Sequence, residues 1–203
     1  MIPYIDWKPF FDVWQLKGKY PNRGFPKIFN DSTVGKEAKK IYEDANSLIN
    51  KFINDKSLIS NATFSFHRAN SNNLDDILIY DENGKHIETL HGLRQQTLNN
   101  SNDSVYYCIS DFIAPDESNI TDYIGNFVVT IEGVQEICKE FETKFDDYNI
   151  IMTKAIADRL AEAFAEHLHE RVRKEFWGYN KNELLDMTDL HKIKYQVRKL
   201  FVL

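Results

Sequence analysis

The chain has 203 residues, 42% of them hydrophobic and 28% charged, with a net charge of −6. That length can bury a real core in one domain, and that composition belongs to a folded chain rather than a disordered one. The acidic balance argues against a nucleic-acid partner, and no apolar run is long enough for a membrane span. The opening "MIPYIDWKPFF" lacks the basic start and continuous apolar run of a signal peptide. Cys108 and Cys138 lie in apolar surroundings, which fits a reducing, cytoplasmic compartment.

In chain order, "DWKPFFDVWQL" predicts a short helix with Asp6 as N-cap and Pro9 in its first turn. A loop punctuated by Pro21, Gly24 and Pro26 follows. Residues 32–54 carry Val34, Ala38, Ile41, Ala45, Leu48 and Phe52 at alternating steps of four and three, the stripe of a second helix. The period then falls to two. "NATFSFHRA" places Phe64 and Phe66 on one face of a strand. "DILIYDENGKHIETL" predicts a hairpin around Asn83-Gly84. "SVYYCISDFI" and "DYIGNFVVTIE" read as two further strands. About five strands with no helices between them predict an antiparallel sheet, hence an α+β fold.

Residues 133–145 predict a third helix and residues 148–177 a long one near the C-terminus. In the long helix Met152, Ile156, Leu160, Phe164, Leu168, Val172 and Phe176 recur every fourth residue. Each step advances about 40° around the axis, so the stripe winds and touches several neighbours. That pattern predicts the spine of a domain. No internal repeat or low-complexity linker divides the chain.

Candidate chemistry is sparse. His167 and His169, two apart on a helix, point to different sides. No His or Cys pair has metal-ligand spacing, and no Gly-rich loop or nucleophile elbow is present, so neither a metal site nor catalytic residues are expected. Asp111, Asp146 and Asp147 stand at element ends, where capping is the expected role. Asp158 and Glu162 are like charges one helical turn apart, a small local cost. On a solvent face the pair is tolerated; turned toward a cleft it would meet a cation. "YIDWKPFF" holds three large aromatics and one acid, which suits a terminal helix docking its rings on the core. A cytosolic, non-catalytic protein-interaction domain with no small ligand accounts for these features as an alternative to a ligand-binding module.

Several blocks in order carry a more specific signal: "YIDWKPFFDVWQLKGKYPNRGFPKIFND", "GLRQQ", "YYCISDFIAP", "DYIGNF", "DDYNIIMTKAIADRLAEAFAEHLHERVR" and "EFWGY". Together they resemble the C-terminal reactivation domain of cobalamin-dependent methionine synthases, the animal type most closely. The resemblance implies a module that binds S-adenosylmethionine. It would position this methyl donor for reductive remethylation of cob(II)alamin, in an enzyme that makes methionine by methyl transfer from methyltetrahydrofolate to homocysteine. Cobalamin would belong to the parent methyltransferase, and the chain alone would not be catalytic. The implied partners are the parent's cobalamin-binding domain and a flavodoxin-like reductase.

Carried over residue by residue, Asp6 falls on an aspartate that contacts S-adenosylmethionine. Glu162 falls on an acid facing the ligand cleft. Asp158 falls on an acid that meets the displaced histidine of the cobalamin domain. The family also has an Arg-Pro-Ala-Pro-Gly-Tyr-Pro stretch soon after "KYQ", and its Arg grips the ligand carboxylate. Here "KYQ" is followed by "VRKLFVL". The resemblance therefore implies a partial domain over residues 1–196, cut at both ends, with a non-family tail at 197–203. It also implies weak or no ligand binding by residues 1–203.

Overall fold

The computed structural model describes residues 1–97, 105–185 and 189. It comprises two compact units. Among the described residues, one is built from Met1–Ala62 and those from Val129 on; the other is Thr63–Val128. The architecture is α+β, as the pattern predicts.

Among the described residues the first unit holds four α-helices: α1 (Trp7–Val13), α2 (Gly35–Asp55), α3 (Val134–Glu142) and α4 (Asp147–Arg171). Asp6 caps α1, its carboxylate accepting from the Lys8 amide at 3.0 Å. Asp146 caps α4 in the same way, accepting from the Asn149 amide at 3.1 Å. Helix α2 starts at Gly35 rather than at residue 32 because Asp31 holds the preceding turn. Its carboxylate accepts from Lys19 N at 2.8 Å, Thr33 N at 2.9 Å, Thr33 Oγ1 at 2.6 Å and Val34 N at 3.1 Å. Side-chain bonds of this kind compete with the helical ladder and delay the first turn. Ala38, Ile41, Ala45, Ile49 and Phe52 then face the core, with Leu48 half-buried beside them. Gly133 precedes α3 at φ +95°, and a Cβ there would stand 2.1 Å from the Ser57 carbonyl oxygen. Only glycine fits such a position.

The core of this unit joins α1, α2 and α4 through Phe10, Phe11, Ile41, Phe52, Met152 and Ile156. Met152, Ile156, Leu160, Leu168 and Val172 are buried along the predicted winding stripe, whereas Phe164 is half-buried and Phe176 exposed. The departure has a local cause. After Arg171 the helix widens into a π-turn over Val172–Phe176, where Trp177 N reaches back five residues to Val172 O at 2.9 Å. The extra residue per turn shifts the face, and Arg173 becomes fully buried. Its guanidinium pairs with Glu183, Nε to Oε2 at 2.8 Å, with side chains 0% and 3% exposed. Asn180 N donates to Arg173 O at 3.0 Å, so the segment after α4 folds back on it.

The second unit is built on a sheet of order β3-β2-β1-β4, from β1 (Ile59–Ser71), β2 (Ile77–Tyr80), β3 (His86–Leu90) and β4 (Asp122–Glu132). The first and last of these run on into the other unit. β1 pairs antiparallel with β2, Ala69 opposite Ile79, and β2 with β3, Ile77 opposite Leu90. Gly84 closes the hairpin at φ +78°, with Gly84 N donating to Asp81 O at 3.0 Å and Asp81 N to Lys85 O at 2.9 Å. Asn83 is not in the left-handed region, so the loop has three residues ending on a glycine bulge. Ala69, Ile77, Ile79, Ile113 and Ile124 form this unit's own core.

Four strands, not five, occur among the described residues. "SVYYCISDFI", expected to be a strand, instead has extended coil at 105–108 and a 3₁₀ turn at Ile109–Phe112. Asp111 is the reason. It accepts from the Cys108 amide at 2.8 Å and is gripped by Arg94 Nη1 and Nη2, each at 2.8 Å. A β-prone run yields here to a charged side chain that closes the turn.

The Asp31 carboxyl is held well below the usual range, first by the Thr33 hydroxyl and then by the amides of Lys19, Thr33 and Val34. A lowered folded value stabilises fully above about pH 4, and that contribution is lost as pH falls toward the folded value. Thermal melts should therefore fall with acid below about pH 4, and less steeply in Asp31→Asn. Removing one partner of a buried ion pair strands the other charge, at about 3–5 kcal/mol. Glu183→Ala should show a loss of that order in urea unfolding, with amide exchange accelerating first around 172–183.

Candidate functional site

Of the residues singled out by sequence, Asp6 caps α1 and Asp158 and Glu162 lie on α4, and these two helices pack against each other. Tyr4, just before the Asp6 cap, donates its hydroxyl to Glu170 Oε2 at 2.6 Å and sets its ring edge-on to His167, centroids 5.0 Å apart. Trp7, buried, packs edge-on against Tyr42 at 4.7 Å and Phe10 at 5.2 Å. The "YIDW" block is thus pinned on both sides of Asp6, which is itself half-buried.

Along α4 acids stand at every fourth position: Asp158, Glu162, Glu166 and Glu170. Asp158 and Glu162 are exposed. Arg159 grips Glu162 with both Nη atoms, at 2.6 and 2.8 Å. Asp158 has no hydrogen bond or ion pair among the described residues. Further along, Glu170 accepts from Tyr4 and pairs with Lys174. Burial alone would raise its pKa, but the bonds from Lys174 and Tyr4 outweigh that and lower it. Burial first, and the bond to Glu170 second, push the Tyr4 hydroxyl up to about 12. Burial likewise lowers the pKa of the adjacent His167. Asp6, Asp158 and Glu162 therefore share one compact unit and two packed elements, and they differ in what already occupies their oxygens. Among the described residues, Asp6 spends one oxygen on its cap, Glu162 is clamped, and Asp158 is open.

The other unit has its own charged cluster. Arg94 bridges Asp75, Nε to Oδ2 at 3.1 Å, and Asp111, and donates to Tyr106 O at 2.7 Å. The Arg94 bond is the main cause lowering the Asp111 pKa to about 2. This cluster borders a cavity of about 590 Å³ that Asn72, Asp116 and Glu117 also line. A second, of about 440 Å³, lies against Phe66, Arg68 and Tyr80. None of Asp6, Asp158 and Glu162 lines either. Among the described residues no group of His, Cys, Asp and Glu is arranged to hold a metal ion, and no helix is long and apolar enough to cross a membrane.

The family model described as "Vitamin B12 dependent methionine synthase, activation domain" matches residues 1–199. The chain belongs to that family. A solved structure, the MetH reactivation domain bound to AdoHcy, is similar to it at 46% identity with a TM-score of 0.85. The match covers 96% of this chain and 58% of the solved one, so the chain spans less than two thirds of that relative's length.

Within this activation-domain chain, sequence reasoning singled out Asp6, Asp158 and Glu162 but not the side chains that bond to Glu162 and hold Tyr4. Arg159–Glu162 and Glu170–Lys174 were readable as pairs three and four apart on a helix. The bond from Tyr4 to Glu170 joins residues far apart in the chain, and no spacing rule announces it. The "KYQ" stretch and the 197–203 tail lie outside the described residues.

Tyr4→Phe tests the pinning of the "YIDW" block. A hydrogen bond to a charged group contributes about 1.5–3 kcal/mol, less where water reaches it. We expect a loss of about 1–2 kcal/mol in denaturant unfolding, together with a rise of the Glu170 pKa read by carboxyl carbon NMR.

Proposed function

We propose that this chain forms part of an S-adenosylmethionine-binding reactivation module, which holds the methyl donor for remethylation of cobalamin in a methionine synthase. The observation that carries this reading is the 46% identical reactivation domain bound to AdoHcy, the product left when S-adenosylmethionine gives up its methyl group. The donor set on α1 and α4 fits such a ligand. S-adenosylmethionine presents an ammonium, ribose hydroxyls and an adenine amino group, all donors, beside a positive sulfonium. Acceptor-only carboxylates at Asp6 and Glu162, and an open negative charge at Asp158, suit that inventory.

When bound, S-adenosylmethionine supplies a methyl group on sulfur, and cobalamin in the parent enzyme supplies the cobalt that accepts it. The chain's residues bind and orient. Asp6, fixed by its cap and by Tyr4 and Trp7 on either side, offers an acceptor of set direction. Glu162 offers a second from α4. Holding two reactants in place raises their effective concentration, which is the contribution of a positioning module. Asp158, on the same exposed turn, is suited to a cationic group such as a protonated histidine of the cobalamin-binding domain. A flavodoxin-like reductase completes the set of partners, and a role in methionine biosynthesis goes with them. A cytoplasmic setting accords with the free thiols of Cys108 and Cys138.

Nuclear magnetic resonance titration of the 203-residue chain with S-adenosylmethionine tests the reading. Binding is expected to be weak, in fast exchange, with shifts concentrated at Asp6, Trp7 and Glu162. Asp6→Asn should weaken it about 10- to 100-fold, the worth of one charge-assisted bond. A folded chain in which the ligand moves none of those resonances would overturn the proposal and favour a domain that recognises only proteins.

A further inference from the structure

Asp158 and Glu162 are chemically alike, exposed, and one turn apart on α4, yet the structure treats them differently. Arg159 Nη1 donates to Glu162 Oε2 at 2.6 Å and Nη2 to Oε1 at 2.8 Å, a two-pronged fork. The arginine side chain is only 12% exposed while that of Glu162 is 64% exposed. The guanidinium is thus packed down and immobilised, and the carboxylate it grips stands out toward solvent. A planar fork held this way fixes direction as well as charge, which an ammonium cannot do. Two carboxylate oxygens offer about four acceptor positions, so Glu162 keeps two for an incoming donor, now in one orientation and with its charge largely offset. Among the described residues, Asp158 receives nothing comparable. Lys154, four residues before it, is the one basic side chain at helical spacing on that side, and it makes no ion pair with Asp158. A lysine placed N-terminal to the acid is also the weaker order for such a pair.

We propose that Arg159 is a positioning and specificity-determining residue that divides the labour of the two acids. It makes Glu162 an oriented, charge-compensated acceptor suited to directional N–H or O–H donors of a small ligand. It leaves Asp158 the open anion of the turn, suited to a cationic side chain on a partner. The ligand half of this division rests on the S-adenosylmethionine reading above; the electrostatic half does not. The effect of Arg159 on either half runs through Glu162, the side chain it grips.

Manganese(II), used as a paramagnetic cation, reads the electrostatic half without any ligand. Added to the full 203-residue chain, it should broaden amides around Asp158. Asp158→Asn should remove that broadening and Glu162→Gln should leave it. Arg159→Met frees Glu162 beside the already open Asp158, and the ion should then bind several-fold more tightly across 158–162. Arg159→Lys retains the charge and the stem, folds if Met does not, and should keep the ion affinity near wild type. Equal broadening losses in Asp158→Asn and Glu162→Gln, or unchanged affinity in Arg159→Met, would overturn the proposal. The ligand half is read by S-adenosylmethionine titration. Arg159→Lys, with charge kept but the fork lost, should bind several-fold more weakly than wild type. Wild-type affinity in that variant would overturn the positioning role. If the wild-type chain ignores S-adenosylmethionine while the manganese pattern holds, the ligand reading falls and the division of the acids stands.

Discussion

The contact on which the first unit depends is the burial of α1's rings against α4. Phe10 and Phe11 are 0% and 2% exposed, and Met152 and Ile156 opposite them 0% and 1%. Apolar burial of this kind stabilises by about 1.5–3 kcal/mol per large side chain, and several such side chains meet in this one core. The same contact does positional work. Because the rings lock α1 onto α4, the Asp6 cap and the Tyr4 hydroxyl come to rest along the helix that carries Asp158, Glu162 and Glu170. Truncating a ring would move the acids as well as loosen the core.

Along α4 the ion pairs form a gradient of burial, and burial decides what each is for. Arg171–Glu175 is exposed on both sides and contributes little against solvent screening. Arg159–Glu162 is half sheltered, enough to fix an orientation while leaving the carboxylate accessible. Arg173–Glu183 is fully enclosed, where each charge is costly alone and the pair holds the following segment to the helix. The π-turn makes that last arrangement possible, since an uninterrupted α-helix would have presented Phe176 on the predicted stripe instead of turning Arg173 inward.

In the second unit one guanidinium overrides local preference. The run from Val105 to Ile113 is rich in β-branched and aromatic residues and reads as a strand. Arg94 joins Asp75 and Asp111, and Asp111 in turn holds the Cys108 amide, so the backbone turns instead of pairing. Propensity differences of a few tenths of a kcal/mol per residue cannot compete with a multiply bonded ion pair of this geometry.

The sequence by itself determined the helices with regular stripes, the Asp6 and Asp146 caps, the hairpin at Gly84, the α+β class and, through its motif blocks, the family. Each of those signals is local: a period, a cap or a turn residue acts within a few positions, and motif identity needs no contacts at all. The tertiary structure alone decided that a β-prone run would turn at Asp111, that α4 would widen after Arg171 to bury Arg173, and that Tyr4 would reach Glu170. It also decided which of two equivalent acids would be clamped and which left open. Those outcomes turn on charged side chains far apart in the chain, or on how deeply one arginine is packed, and neither is written in the spacing of residues.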